Sequence, residues 1–270
     1  MSVIKAFLFA ALLLIASPGK GAHADALCET PLNIRVSSDY LPFSFRDTSG
    51  EFRGIDVVLI QELFSEIDCE INLVAMPFKR AIIELAAGHI DMMPFASITK
   101  KRKAFAHFSS PYRYETAGLI VRTEDLQRLK INSLQDVIDN NLVLGHEQSA
   151  YRGGDFEAFL ADPVSRPHIY NVVTTTEGIR MLETYRIDAL VESPAAILAA
   201  AEEMGLGSRF AEHPFTLISD PVHFMFSRKS VSQELVDALD LALARKISST
   251  AYQTSYGSMA LPRADGPAMD

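Results

Sequence analysis

Twice in this chain a helical pattern runs out into an Ile-Asp pair that opens a short apolar run. The first passes from Lys79–Ala87 through Gly88 to His89-Ile90-Asp91-Met92-Met93. The second ends near Tyr185 and leads through Arg186-Ile187-Asp188 to Ala189-Leu190-Val191. Gly88 is the residue type that accepts the left-handed turn closing a helix. Each unit has a strand-like stretch upstream. Leu32–Val36 alternates apolar and polar as a half-buried strand does. Leu59, Ile60, Leu63, Phe64 and Ile67 then recur at helical spacing behind Asp56, which can cap that helix. Ile71–Met76 reads as the next strand. In the later part Asn141–Gly145 and His168–Val173 read as strands, Phe156–Leu160, Thr174–Tyr185 and Pro194–Met204 as helices. Strands alternating with helices imply parallel sheets with helices on their faces. Two such units give two α/β lobes with mixed, mostly parallel sheets and a cleft between them.

Ala117–Arg122 and Ser219–Ser227 are extended and suited to carry the chain from one lobe to the other. The expected division is therefore 25–122 plus 219–262 for one lobe and 123–218 for the other. The stretch 263–270, with glycine, proline and charge, is expected to fray.

The start of the chain fixes the compartment. Lys5 precedes an apolar run, Ala6–Ala16, and small residues lead to Ala22-His23-Ala24. This is the layout of a secretory signal peptide over residues 1–24, and the run is too short to span a bilayer. Loss of Lys5 and Lys20 would take the formal charge from −9 to −11, which argues against a nucleic-acid surface. The two cysteines, Cys28 and Cys69, each precede a strand pattern. In an exported chain an even count suggests a disulfide, and parallel neighbouring strands would bring these two together. No CxxC or clustered histidine suggests a metal, and no GxxxxGK[ST] an NTP site; no cofactor is expected.

In open α/β sheets ligands bind beyond the carboxyl ends of the strands. That rule selects Ser37–Tyr40, Pro94–Ser97, His146–Tyr151 and Glu192-Ser193. It also bears on Thr99-Lys100-Lys101-Arg102-Lys103, four basic residues behind an N-capping threonine, against the helix dipole. Either the cluster is solvated, or an anion sits there; Arg102 could reach the cleft and grip a carboxylate while the lysines stay in water.

DYLPFSF with SGEFRGIDVVL (39–45, 49–59), AAGHIDMMPFASITKKR (86–102), FSSPY (108–112), RIDALVES (186–193) and HFMFSRKS (223–230) resemble, in order and spacing, the periplasmic solute-binding proteins of the polar amino-acid type. The resemblance covers nearly all of the chain after residue 24. It implies the type II periplasmic-binding fold, and a small carboxylate-bearing ligand delivered from the periplasm to a membrane permease or sensor. By the same resemblance Tyr40 packs on the ligand, Ser97 and Arg102 hold its carboxylate, and Ala150, with Ser149 and Tyr151, touches the same group. Phe78 and Phe95 would supply further aromatic wall, since the chain has no tryptophan. The family's ammonium-binding aspartate falls at Ser193, beside Glu192. A hydroxyl cannot neutralise a buried ammonium, so either Glu192 takes over or the ligand is not an ordinary α-amino acid. Arg80 could face the cleft but is more readily solvated or paired, and His146 and Glu147, near the second-lobe loop, are more readily structural. The expected protein is a monomeric binding protein. The competing reading is an enzyme similar to cyclohexadienyl dehydratase, with Glu192 as general acid.

Overall fold

The computed structural model describes residues 27–263. The expected signal peptide and nearly all of the expected frayed tail lie outside them. The first half runs β1 (Leu32–Val36), β2 (Asp39–Tyr40), β3 (Ser44–Arg46), β4 (Phe52–Arg53), α1 (Ile55–Glu66), β5 (Ile71–Ala75), α2 (Phe78–Ala87), β6 (Met92–Ala96) and α3 (Lys100–Lys103), and enters the long strand β7 (Ala106–Arg122). The second holds α4 (Gln135–Asp139), β8 (Leu144–Glu147), α5 (Gly154–Ala161), β9 (Ile169–Val172), α6 (Thr175–Glu183), β10 (Ala189–Glu192) and α7 (Pro194–Glu203). The chain then returns through β11 (Phe210–Ser227) and ends in α8 (Gln233–Ile247) and α9 (Thr250–Tyr256).

Eight strands hydrogen-bond in the order β5-β1-β6-β11-β7-β10-β8-β9. β1 is parallel to β5 and β6, and β8 to β9 and β10. Between these parallel blocks run β7 and β11, antiparallel to each other from Ala106 opposite Ser227 to Arg122 opposite Phe210. The two expected crossing segments are thus parts of two long paired strands that belong to both halves. Their register shifts between Glu212 and Thr216, which lies opposite Gly118, and again between Thr216 and Ile218. Two apolar clusters fill the first half, one between α1 and α8, the other around Phe43, Phe78 and Met93. Two more fill the second, around Phe156 and around Ile197.

The repeated Ile-Asp unit has one structural job in both places. Asp91 Oδ2 accepts the Asn33 N–H at 2.7 Å, and the Asp91 N–H donates to the Asn33 carbonyl. Asp188 Oδ2 accepts the Val143 N–H at 2.8 Å, and its N–H donates to the Val143 carbonyl. Each aspartate therefore pins the start of its strand to the parallel neighbour, setting the level at which both strands end. Gly88 closes α2 at φ 89°, as its position predicts. Cys28 and Cys69 are disulfide-bonded, with Cα atoms 5.5 Å apart, where β1 and β5 run side by side.

Asp56 differs from the expectation. The residue that caps α1 is Gly54, at φ 122°, where a Cβ would meet the Phe43 carbonyl at 2.2 Å. Asp56 lies inside the first turn, fully buried, and accepts the hydroxyls of Tyr112 (2.7 Å) and Tyr256 (2.8 Å) beside the Arg113 guanidinium. The β2–β4 sheet, built of strands of two and three residues, has no counterpart in the sequence pattern.

Candidate functional site

The carboxyl ends of β1, β6 and β8 and the segment after β9 surround one cavity of about 200 Å³. Of the residues singled out in the sequence, Tyr40, Phe95, Ser97, Arg102, Ala150 and Tyr151 line it. Phe78 completes the aromatic wall; Tyr40 and Phe95 have ring centroids 5.2 Å apart. Ser149, Glu192 and Ser193 are not among the lining residues. Ser149 is exposed and turns the chain at φ 75°.

Thr99 does cap α3, its hydroxyl accepting the Arg102 N–H at 3.2 Å. The basic cluster divides. Lys100, Lys101 and Lys103 are exposed, whereas Arg102 is 5% exposed and turns inward. Its guanidinium donates to the Ser97 carbonyl (2.9 Å) in its own half and to the Ser149 carbonyl (3.0 Å) in the other. It stacks over Phe78, 5.5 Å from the ring centroid. It forms no ion pair among the described residues. Burial and the nearby Arg152 cation lower its pKa to about 10, with the Glu157 charge acting the other way, so it stays charged at neutral pH. Two further contacts join the halves beside it. Lys79 Nζ donates to Gln148 at 2.9 Å, and the Thr176 N–H to Asp39 at 3.0 Å.

A chain of buried charges, which the sequence did not show as a network, runs beside the cavity, and two of its members, Glu115 and Arg152, line it. Asp56 faces Arg113, and Arg113 donates to Glu115 at 3.0 Å. Glu115 also accepts the Tyr40 hydroxyl (2.9 Å) and lies 3.6 Å from Arg152. Arg152 closes the chain by pairing with Glu192, whose second oxygen accepts the Ser193 N–H at 2.8 Å. Burial opposes the Arg152 charge, but Glu192 and Glu115 outweigh it and hold the guanidinium firmly protonated. Arg113 and Glu115 sit two apart on β7 and so share a face, the one signal in sequence that could have flagged them. Arg152 and Glu192 meet only through tertiary folding, across β8 and β10.

Two more lining residues were missed or set aside. Arg35, the charged residue of β1, is buried, donates Nε to the Met76 carbonyl (3.0 Å) and lies over the Phe78 and Phe95 rings. Burial lowers its pKa, against the pull of Glu147 and Asp39. Glu147 ends β8. Among the described residues its carboxylate has neither a hydrogen bond nor an ion pair. Burial and the neighbouring Glu192 raise its pKa to about 7, against Arg35 and Arg152. No metal-binding cluster of His, Cys, Asp or Glu is found among the described residues.

The cavity thus offers an uncompensated guanidinium on one wall, an unpartnered carboxyl on the other and aromatic rings between. Residues 32–258 match the sequence profile of the bacterial extracellular solute-binding proteins, family 3. The probable amino-acid-binding protein YxeM of Bacillus subtilis is 23% identical over 238 residues, covering 87% of this chain and 86% of that protein. The lysine/arginine/ornithine-binding periplasmic protein of Escherichia coli is 32% identical over 198 residues, covering 72% of this chain and 73% of that one. Cyclohexadienyl dehydratase of Pseudomonas aeruginosa is 30% identical, but over only 82 residues, 30% of this chain and 31% of the enzyme. Among solved structures, holo ArgBP from T. maritima superposes with a TM-score of 0.69 at 22% identity, over 83% of this chain and 93% of that one. The chain belongs to the bacterial extracellular solute-binding proteins, family 3.

Proposed function

We propose that the protein binds a small carboxylate-bearing solute, an amino acid or a relative of one, between its two halves in the periplasm and delivers it to an ABC-type permease. One observation carries this reading. Arg102 is a buried cation without a carboxylate partner, and it forms a cavity wall together with Ser97 and an aromatic surface. A buried charge without a counter-ion is costly, and a ligand carboxylate gripped by two parallel hydrogen bonds removes that cost. Tyr40 and Phe95 would pack on the solute, and Ala150 and Tyr151 would close over its carboxylate from the second half. The identities of the amino-acid-binding relatives favour the same class of solute. Residues 25–122 with 219–262 would move as one lobe against 123–218. The broken register of β7 and β11 near Gly118 supplies the place where two paired strands can bend.

Arg102→Ala tests the reading. Losing a buried charge-assisted partner should cost about 2–5 kcal/mol of binding, read by calorimetry with whichever amino acid or carboxylate raises the melting temperature of the wild type. Wild-type affinity in that variant would refute the assignment. The enzyme reading loses its proposed acid, because Glu192 is tied to Arg152 and to the Ser193 N–H. Prephenate and arogenate should therefore pass through unchanged, and product formation from either would overturn the non-catalytic assignment. Delivery to a membrane sensor uses the same cavity, and is favoured if the loaded protein activates a sensor kinase but no permease. Size-exclusion chromatography should show a monomer.

A further inference from the structure

We propose that Glu147, on the strand next to the family's usual position, receives the ammonium group of the solute, so that the site takes a carboxylate carrying an amine close by. This rests on the reading that Arg102 takes the carboxylate. The position where the resemblance places an ammonium acceptor, Ser193, is buried, carries only a hydroxyl and does not reach the cavity. Its neighbour Glu192 is committed on both oxygens and does not line the cavity; it borders a void of about 10 Å³ that Glu147 also lines. Glu147 is the acid that the sheet puts in their place. β8 and β10 are parallel, with His146 opposite Val191, so Glu147 and Glu192 each follow one residue later at the same level. The two carboxyls point to the same side, but Glu147 stands one strand nearer the cavity and lines it.

What faces Glu147 leaves it available. Arg35 from β1 is turned to the Met76 carbonyl and two rings. Arg152, five residues on, is held by Glu192 and Glu115. Glu192 from β10 repels it, and Asp39 from β2 adds a second negative charge while accepting the Thr176 N–H. An ammonium in the cavity would find a carboxylate that accepts no hydrogen bond among the described residues, with Glu192 and Asp39 favouring a cation there and Arg35 and Arg152 opposing it. The same surroundings give binding a pH signature. With the Glu147 carboxyl titrating at about 7, an incoming ammonium must bind the ionised form. Binding near neutral pH should therefore release a fraction of a proton, and affinity should fall as pH drops.

The test uses protein unfolded and refolded to remove carried-over solute. The twenty standard amino acids and ornithine are each compared with the matching des-amino acid and the matching decarboxylated amine. An amino acid should bind the wild type at least about 30-fold more tightly than its des-amino acid. Glu147→Gln should abolish that preference while Ser193→Ala retains it, and proton release should be seen in two buffers of different ionisation enthalpy. An equal response to the des-amino acid, or an unaltered preference in a folded Glu147→Gln protein, overturns the role of Glu147 and leaves Arg102 standing. A decarboxylated amine binding as well as its amino acid, with loss in Glu147→Gln, overturns the Arg102 reading instead. Silence across the whole panel overturns the amine-bearing ligand class.

Discussion

Glu192→Gln separates a structural acid from a ligand-binding one. Both members of the Arg152–Glu192 pair belong to the second half, and their side chains are 7% and 6% exposed. The pair therefore contributes to folding whether or not solute is present. Breaking a buried ion pair by removing one charge costs about 3–5 kcal/mol, because the other charge is left behind. Two features place this case at the lower end. The amide still accepts the Ser193 N–H, and Glu115 remains 3.6 Å from Arg152. The expected loss is about 3 kcal/mol, or roughly 6–12 °C in melting temperature for a protein of this size. Urea unfolding without added solute reads it directly, with an unchanged m-value as the check that only stability moved. Adding Arg152→Met should return at least about 1 kcal/mol, since replacing both charges removes the desolvation problem. A wild-type urea midpoint for Glu192→Gln, combined with lost solute binding, would refute the argument and make Glu192 a ligand group.

The remaining predictions concern the frame. Replacing Cys28 and Cys69 together by Ala opens a loop spanning 41 positions. This should lower stability by about 4 kcal/mol in the chain-entropy model, and reductant should then have no further effect on the urea midpoint. Asp91→Ala and Asp188→Ala each strand one backbone N–H, that of Asn33 or Val143. Each should cost about 1–2 kcal/mol, with Asp91, the more buried, costing more; equal stability to wild type in both would deny the shared pinning role.

The parts of the fold legible in the sequence were those set by local rules. Helix stops at Gly88, the cap at Thr99 and the apolar spacing around Leu59–Phe64 each act within a few residues, and each is where it was read. Spacing alone left the basic cluster open between a solvated face and an anion site; the resemblance pointed to Arg102, which turns inward while the three lysines stay exposed. Asp56 misled because aspartate before an apolar helix usually caps it. The hydroxyls of Tyr112 and Tyr256 and the Arg113 cation, all distant in sequence, provide a stronger use for the carboxylate. Arg35, Arg152 and Glu147 could not be ranked for the same reason. Whether a charged side chain is committed or free depends on which partners the sheet order places beside it, and that order is not written in any one segment.

That distinction between committed and free charge also bears on how solute could close the protein. Asp56, Glu115 and Glu192 each face Arg113 or Arg152, so their ion pairs form without a ligand, although the buried Arg152 Nε has no hydrogen-bond partner among the described residues. Arg102 and Glu147 are different: opposite charges, on opposite halves, facing one cavity without an ion-pair partner among the described residues. A solute can favour the closed arrangement only by binding it better than the open one. A lone carboxylate settles Arg102 and leaves the far wall uncompensated, and a lone amine does the reverse. A molecule with both groups on one carbon would engage both walls at once on the proposed roles of Arg102 and Glu147, and its whole second contact would count toward closure. On this argument the des-amino acid should lose more than affinity. Small-angle scattering should show the radius of gyration falling with the amino acid, and falling less with its des-amino counterpart at equal saturation. Equal compaction by the two would mean that the Arg102 wall alone drives closure.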